Sequence, residues 1–287
     1  MKYSREIHLA CKAFVLGASA LAVASTQADT IYDSQGFETP TFTTGSIVGQ
    51  EGFTVFGGGQ STATVATAPG AQVASGTQSL ELFRDGADGA TTTGFFTDLS
   101  TPAANHDRYV FVDFDLFVES SGDQDPGPAA SFGPGFGIEI YTTGVNRIAS
   151  IGVDSADGAF YQLNGGTGLF DFSAGSVAVL DQYQSWRVIL DFELEVYFVQ
   201  VDGIVITASG GESFTNDIDY DSGDFFTDAS ILVTPTDNAY PAVNGTAFLD
   251  NYLIFDDTVI PEPASMVIFG IGAVMLMRKR SAATTKR

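Results

Sequence analysis

The stretch WRVILDFELEVYFVQVDGIVI, residues 186–206, is the part of the sequence that says most about the fold. Two apolar-rich runs in it flank a polar turn near residues 193–195. Asp202-Gly203 is a strong signal for a type I′ hairpin turn, since both central residues of that turn require positive φ. A short strand at 204–207 would complete three consecutive antiparallel strands. No helical period competes with this interpretation.

The same kind of pattern recurs along the chain. Short runs of alternating polarity are separated by Gly, Asp, Asn and Pro, and helical periodicity is nearly absent. This pattern is typical of an all-β antiparallel sandwich or barrel. In one run, Asp113 and Asp115 are two residues apart and should share a face of the sheet. The predicted strands are 78–83, 109–118, 136–142, 145–153, 159–163, 186–191, 196–201, 204–207 and 247–255.

Two segments of low complexity interrupt the strands. Residues 57–76 are rich in Gly, Ala, Ser and Thr, and residues 121–137 are rich in Gly and Pro. We interpret both as surface connections without a ligand, although either could rim a binding site.

The charge of the central segment, residues 29–262, is strongly acidic. The chain has 12 basic and 35 acidic residues, and its net charge is −23. The central segment contains four arginines, no lysine and 34 of the acids, so its own net charge is about −30. Such a surface repels phosphate backbones and anionic lipid, which disfavours nucleic-acid binding. It is compatible with divalent cations or a saline exterior.

The N-terminus has the features of a secretory signal. Lys2, Arg5 and Lys12 are basic, residues 13–24 are small and apolar, and a site suitable for signal peptidase ends at Ala28. We therefore predict a signal peptide at residues 1–28. The chain's one cysteine would be lost with it, so the exported body would fold without disulfides.

The C-terminal stretch VIPEPASMVIFGIGAVMLMRKRS, residues 259–281, combines three features. Pro261, Glu262 and Pro263 come first, and the apolar segment 264–277 follows. As a helix, these 14 residues would be about 21 Å long. The hydrocarbon core of a bilayer is about 30 Å thick, so the segment is too short to be a comfortable permanent anchor.

Basic residues complete this C-terminal pattern. Arg278, Lys279 and Arg280 would hold the end of the segment in the cytoplasm and leave the body outside. The whole arrangement resembles the PEP-CTERM sorting signal of Gram-negative bacteria that make exopolysaccharide. The resemblance implies recognition by an exosortase, cleavage near Pro261-Glu262-Pro263, and transfer of the body to the cell surface or extracellular matrix. The protein would be only transiently anchored in the membrane by a transmembrane sorting helix.

The body contains four stretches in a recognisable order: SQGFETP (34–40), GTQSLEL (76–82), W…D…VYFVQVDG (186–203) and FLDNYLIFD (248–256). Together they resemble concanavalin-like and laminin-G-like jelly rolls and related carbohydrate-binding modules, over most of residues 31–257. The resemblance implies a two-sheet jelly-roll sandwich whose first and last strands pair.

The same resemblance implies a structural calcium ion held by Glu38 and Asp250. Calcium prefers several oxygen ligands, and a metal that joins the two ends of the chain would stabilise a body without disulfides. Glu38 could instead be an edge-strand carboxylate in water. A second acidic run, Asp217 to Asp228, has carboxylates at EF-hand positions 1, 3, 5 and 12. Ser222 stands where an EF-hand requires Gly, so we interpret the run as a solvated loop.

Catalysis receives little support from the sequence. Asp191, Glu193 and Glu195 have the spacing of an E-x-D-x-E glycosidase motif, but the order of the residues differs. They also lie where the hairpin turns, so exposed turn acids explain them better. His106 is the one histidine of the body, and no thiol or lysine accompanies it.

Aromatic residues can stack on sugar rings. Trp186, the chain's one tryptophan, is predicted to pack into the core. Tyr141, Tyr161 and Tyr183 are the aromatic residues we consider as sugar platforms.

These features predict three regions: a signal peptide (1–28), a jelly-roll body (29–257) and a sorting signal (258–287). We expect an exported, non-enzymatic protein whose partners are signal peptidase, exosortase and an exopolysaccharide or other glycan. Two alternatives remain, a glycoside hydrolase or lyase on the same fold and a purely structural matrix protein.

Overall fold

A computed structural model describes residues 28–57, 59–88, 91–99, 106–121, 134–163, 170–207, 211–215, 225–235 and 243–257. These residues form strands, three short 3₁₀ turns and loops, so the body is all-β as predicted. The strands are β1 (Asp29–Asp33), β2 (Gly45–Ser46), β3 (Thr54–Phe56), β4 (Thr62–Thr67), β5 (Gln78–Arg84), β6 (Thr93–Phe96), β7 (Tyr109–Val118), β8 (Pro134–Thr142), β9 (Asn146–Asp154), β10 (Ala159–Leu163), β11 (Phe170–Val177), β12 (Tyr183–Asp191), β13 (Val196–Val201), β14 (Ile204–Val205), β15 (Glu212–Ser213), β16 (Phe226–Pro235) and β17 (Gly245–Asp257).

The strands form two antiparallel sheets. The ten-stranded sheet has the order β14-β13-β12-β7-β17-β5-β4-β2, with β1 paired to β17 and β15 paired to β13. The seven-stranded sheet has the order β11-β10-β9-β8-β16-β6-β3. The first and last strands pair, with Asp29 opposite Asp256, as the resemblance to jelly rolls implied.

The core contains residues of both sheets. Trp186 of β12 is 3% exposed, and its ring stacks between Phe114 of β7 and Phe160 of β10, at centroid distances of 6.0 and 5.9 Å. The prediction that Trp186 packs in the core is therefore confirmed. Burying an aromatic or aliphatic side chain of this size contributes about 1.5–3 kcal/mol, which lets a body without disulfides hold together.

The hairpin predicted from residues 186–206 is present. β12 and β13 pair from Trp186 opposite Val201 to Asp191 opposite Val196. Asp202 and Gly203 have φ of 51° and 77°, the positive values that a type I′ turn requires.

The structure differs from the predicted strands and connections in several places. The segment 57–76 is not only a surface connection, because it contains β4, whose Ala63 and Val65 are buried against the core. The end of the segment 121–137 belongs to β8, and residues 122–133 lie outside the described part of the chain. The strands that were not predicted at all are β2, β3, β6, β11, β15 and β16.

The predicted signal peptide and the sorting signal lie almost wholly outside the described residues. Within the described ranges, no helix is both long and apolar enough to cross a membrane.

Candidate functional site

The outer face of the seven-stranded sheet contains a groove with aromatic and acidic side chains. On β8, Ile138 and Ile140 are fully buried in the core. Glu139 and Tyr141 alternate with these two residues along the strand. Because successive side chains of a strand point to opposite faces, Glu139 and Tyr141 point outward.

The neighbouring strand β16 adds polar groups to the same face. Asp228 is opposite Tyr141, and Ser230 is opposite Glu139. Ser230 Oγ donates a hydrogen bond of 2.7 Å to Asp228 Oδ1, and Tyr141 Oη donates one of 2.7 Å to Glu139 Oε2. The two carboxylates are thus held in place by neighbours on their own strands.

On the other side of β8, strand β9 contributes Arg147 and Ser150, opposite Tyr141 and Glu139 respectively. Arg147 forms an ion pair of 2.7 Å with Glu139, whose side chain is 4% exposed. Ser150 is fully buried, and its Oγ has no hydrogen-bond partner among the described residues. A buried hydroxyl without a partner lowers the stability of the fold. The hydroxyl of Ser150 is thus a hydrogen-bonding group that no described residue uses.

A cavity of about 230 Å³ opens on this face. Its walls are mainly apolar, and three side chains with a carboxylate or hydroxyl group converge on it, which is the usual composition of a small-molecule site. We call it the groove. The residues that line it are Phe56, Phe96, Tyr141, Val145, Asp228 and Ser230.

The aromatic wall depends on a glycine. Phe56 of β3 lies over Gly94 of β6, and a Cβ on Gly94 would be 2.1 Å from Phe56 Cε1. The missing side chain lets the ring lie on the strand backbone. Phe56 then contacts Phe96 and Tyr141, at centroid distances of 5.9 and 6.4 Å, so the three rings form one surface.

The groove changes the acid–base properties of its side chains. Burial raises the pKa of Asp228 to about 6, and the nearby Asp98 and Glu139 carboxylates add to the rise. Burial and the Glu139 carboxylate also raise the pKa of Tyr141, so its hydroxyl stays protonated and can donate.

A larger recess of about 400 Å³ lies on the outer face of the ten-stranded sheet. Asp113 and Asp115 both line it, which confirms that they share a face. Asp113 accepts two hydrogen bonds from Arg187, and Asp115 accepts from Ser185 and Asn251. The charged groups of this recess are thus bound to one another, and Arg187 neutralises Asp113.

The turn predicted near residues 193–195 is confirmed and spans residues 192–195, and Glu193 is exposed. The interpretation of Asp191 as an exposed turn acid is wrong, since it is 3% exposed. Asp191 accepts two hydrogen bonds from Arg108, and its Oδ1 also accepts from the backbone N–H groups of Glu193 and Leu194. These contacts give Asp191 a structural role at the end of β12.

His106 also has a structural environment. Its Nε2 accepts a hydrogen bond of 3.0 Å from the backbone N–H of Phe226, and its ring lies 4.4 Å from that of Phe192. Burial lowers the pKa of His106, which keeps the imidazole neutral. Its position in the core gives no support to a role as a catalytic base.

Glu38 and Asp250, the predicted calcium ligands, approach the same loop, residues 74–78. Glu38 accepts hydrogen bonds from Thr77 and Gln78, and Asp250 accepts from the backbone of residues 74, 75 and 251. A Cβ on Gly36 would be 3.2 Å from Asp250 Oδ1 and 3.7 Å from Glu38 Cγ. The structure thus brings the two carboxylates together from opposite ends of the chain.

The chemistry of this cluster fits calcium in part. Its side chains offer oxygen atoms, including the Oδ1 of Asn251 near Gly36. Against this, the carboxylate oxygens accept N–H groups, which a cation would have to displace. Among the described residues, no group of three or more Asp, Glu, His or Cys side chains is placed to hold a metal.

Of the acidic run Asp217 to Asp228, residues 217–224 lie outside the described ranges. Asp228 itself belongs to β16 and lines the groove, so the interpretation of the whole run as a solvated loop is wrong at this residue.

Of the three tyrosines considered as platforms, Tyr141 lines the groove and Tyr161 is buried. Tyr183 packs on Phe117 on the outer face of the other sheet. The sequence interpretation missed Phe56, Phe96, Glu139, Arg147 and Ser230. The alternation of Glu139 and Tyr141 with Ile138 and Ile140 could have placed these two on one outer face.

No protein-family model and no curated protein sequence matches the chain. Among solved structures, the chain is similar to a sialidase, with TM-score 0.51 and 12% identity. The match covers 79% of this chain and only 19% of the sialidase. At this identity the similarity shows a shared β architecture alone.

Two further structures are more distantly similar. An alginate lyase, Aly36B, matches with TM-score 0.46 and 13% identity, over 76% of this chain and 95% of the lyase. The globular domain of T. cruzi calreticulin matches with TM-score 0.44 and 14% identity, over 75% of this chain and 88% of that domain.

Proposed function

We propose that the protein is an exported, non-enzymatic jelly-roll protein of the cell surface or extracellular matrix, and that it binds glycan in the groove of its seven-stranded sheet. The observation that supports glycan binding is the composition of the groove. Three clustered aromatic rings lie beside Asp228, Ser230 and the hydroxyl of Tyr141.

This composition suits a sugar for a physical reason. A pyranose ring has apolar C–H faces and polar hydroxyl edges, so it needs an aromatic surface and hydrogen-bonding groups at the rim of that surface. Tyr141 supplies both, since its ring belongs to the aromatic wall and its hydroxyl is hydrogen-bonded to Glu139. Asp228 and Ser230 line the cavity beside the rings, where their oxygen atoms can accept hydrogen bonds from the hydroxyl groups of a sugar.

The experiment that tests this proposal is a binding screen of the purified full chain against immobilised glycans of varied composition. We expect retention on at least one glycan, and competition by the same glycan in solution. Failure to bind any glycan, by a protein shown to be folded by circular dichroism, would favour the purely structural alternative.

Export and sorting form the second part of the proposal, and the support for it is the sequence at the two ends. In a Gram-negative host that has an exosortase, we expect the full chain to be cleaved near Pro261-Glu262-Pro263 and delivered to the surface. Deletion of residues 261–287 should leave the body unprocessed. The measurement is the mass and location of the protein, by immunoblotting of cell fractions.

A matched control for sorting keeps the apolar segment and changes the motif alone, by Glu262→Ala. We expect this variant to remain in the membrane fraction at its uncleaved mass. If the deleted, substituted and unchanged chains were processed and located identically, the sorting proposal would be wrong.

We also propose a structural calcium ion between Glu38 and Asp250. The calcium ion would join the 3₁₀ turn Gln35–Phe37, which follows β1, to β17, and so connect the two ends of the body. A ligand present at 100 times its dissociation constant stabilises a protein by about 2.7 kcal/mol. For a body of this size, we therefore expect chelation to lower the melting temperature by about 5 °C or more.

The calcium prediction is measured by thermal unfolding of the full chain in calcium and in chelator. Asp250→Asn should abolish the difference, because the neutral amide is a weaker calcium ligand. Magnesium should not replace calcium, since it demands a stricter octahedral geometry. A melting temperature that chelation leaves unchanged would contradict the site.

One observation favours the enzymatic alternative, a glycoside hydrolase or lyase. Asp228 has a pKa of about 6 and lies on the same face as Glu139, which is ion-paired to Arg147. Two carboxylates in unlike environments are a common source of an acid and a base. The discriminating test is whether the full chain cleaves any glycan that it binds, and whether Asp228→Asn abolishes cleavage.

A further inference from the structure

The positive charges of the body are all engaged in contacts within the protein. Residues 29–262 contain four arginines and no lysine. Arg108 pairs with Asp191, Arg147 with Glu139, and Arg187 with Asp113, each at 2.7 Å or less. Arg84 is 1% exposed and donates to the backbone oxygen of Thr91.

This engagement limits which glycans the groove can accept. A uronate or sulfate group needs a cation or several N–H donors to replace the water that it loses on binding. In the groove it would meet Asp228, with Glu139 and Asp98 nearby. Arg147, the one arginine on this face, is already paired with Glu139. An anionic sugar would therefore lose hydration and meet like charge.

Asp228 differs from the other carboxylates of this face. Its hydrogen bond comes from a neutral hydroxyl, that of Ser230. Among the described residues, no arginine or histidine forms an ion pair with it. It also lines a cavity with aromatic walls, where an ion pair is less screened by water than at an open surface. A cationic group on the ligand would supply the positive partner that the protein does not.

We propose that the groove selects glycans that contain free amino sugars, with a protonated amine of the ligand paired to Asp228 and a sugar ring on Tyr141, and that it rejects uronate and sulfated polymers. This inference rests on the proposed glycan-binding function and adds the class of ligand. The wall of Phe56, Phe96 and Tyr141 also favours a cation beside the rings, by attraction to their π faces.

The probes are a glucosamine tetrasaccharide, its fully N-acetylated counterpart and a uronate tetrasaccharide. They are titrated into the full chain by calorimetry at pH 7. The glucosamine probe should bind about fivefold or more tightly than the N-acetylated one. The uronate probe should not bind. Added salt should weaken binding of the glucosamine probe and leave binding of the N-acetylated probe nearly unchanged.

Asp228→Asn should remove the preference, so that the glucosamine and N-acetylated probes bind alike. The body is acidic overall and attracts cations everywhere, so a matched control is needed. Glu212→Gln removes one charge from β15 at the edge of the ten-stranded sheet, and it should leave the preference intact.

A pH profile gives an independent readout. The pair needs an ionised Asp228 and a protonated sugar amine, and a lower pH favours the amine and opposes the carboxylate. Affinity for glucosamine should therefore fall as the pH drops below about 6, the pKa of Asp228, and Asp228→Asn should flatten this fall. The other ionisable groups that face Asp228 are Glu139, Arg147, Tyr141 and Asp98. Burial raises the pKa of Tyr141, so its hydroxyl stays protonated throughout this range.

The outcomes separate the inference from the function on which it rests. Equal binding of the amino and N-acetylated probes by the unchanged protein, or tighter binding of the uronate, would overturn the amino-sugar inference and leave glycan binding standing. Binding of none of the three probes would also overturn the inference. Glycan binding as such would fail only if the wider screen found no ligand.

Discussion

Gly137→Ala is expected to lower the free energy of unfolding by about 3 kcal/mol or more, because β8 and β9 approach each other too closely for a side chain. A Cβ on Gly137 would be 1.9 Å from the backbone oxygen of Ile151 and 2.5 Å from the Cα of Gly152. Both are backbone atoms of a paired strand, so relief requires the strands to separate. The loss is a large share of the roughly 5–15 kcal/mol that stabilises a typical domain.

Urea unfolding of the full chain measures this effect as a shift of the midpoint at constant slope. The matched control is Gly70→Ala. A Cβ on Gly70 would be 3.5 Å from its nearest neighbour, the backbone oxygen of Thr67, which is an ordinary contact. We expect a change within about 0.5 kcal/mol for the control. Equal midpoints for the two variants would show that the pairing of β8 with β9 is wrong.

Tyr141→Ala is expected to weaken glycan binding at least about tenfold, a change of about 1.4 kcal/mol. The substitution removes both the aromatic ring and the hydroxyl from the centre of the groove. Large aromatic side chains at the centre of a binding site usually contribute the most on truncation. Tyr141→Phe should keep most of the affinity if the ring is the main contact, and it loses only the hydrogen bond to Glu139.

The control for this prediction is Tyr183→Ala, on the outer face of the ten-stranded sheet. Tyr183 is, besides Tyr141, the one candidate sugar platform from the sequence that is not buried. The substitution therefore removes the same side chain at a different surface. We expect its affinity to equal that of the unchanged protein, after circular dichroism has shown that both variants are folded. If Tyr183→Ala lost glycan affinity and Tyr141→Ala did not, the binding surface would lie on the ten-stranded sheet instead.

The local features of the fold could be predicted from the sequence. The hairpin at residues 186–206 has strict turn chemistry at Asp202-Gly203, and β7 alternates apolar and polar residues at its centre, residues 112–116. In both cases the information lies in neighbouring residues, within a window of a few positions. The pairing of β1 with β17 could be expected only from the resemblance to jelly rolls. The two strands lie more than 200 residues apart, so no local pattern of residues connects them.

The missed strands have physical reasons. β4 has the sequence TATVAT, in which buried Ala63 and Val65 are small and resemble a flexible segment by composition. The first residues of β16, 226–228, are also the last residues of the acidic run that begins at Asp217, so they were assigned to a loop. Its buried face, formed by Ala229, Ile231 and Val233, depends on the pairing of β16 with β8 on one side and β6 on the other. The sequence of β16 alone does not show that pairing.

The groove was harder to predict than any strand. Phe56, Phe96, Tyr141 and Asp228 come from four strands, and the pairings of β3 with β6, β6 with β16 and β16 with β8 bring them together. Sequence spacing gives no access to such pairings. The carboxylates with recognisable spacing, at residues 191–195, belong instead to a turn held by Arg108.

The most direct test of glycan binding in the groove is hydroxyl-radical footprinting of the unchanged full chain, with and without the tightest ligand from the glycan screen. Oxidation of each aromatic residue is measured by mass spectrometry. We predict that the ligand protects Phe56, Phe96 and Tyr141, and that Tyr183 and Phe198 on the ten-stranded sheet keep their reactivity. Protection of Tyr183 and Phe198 with unchanged oxidation of Tyr141 would contradict the proposal.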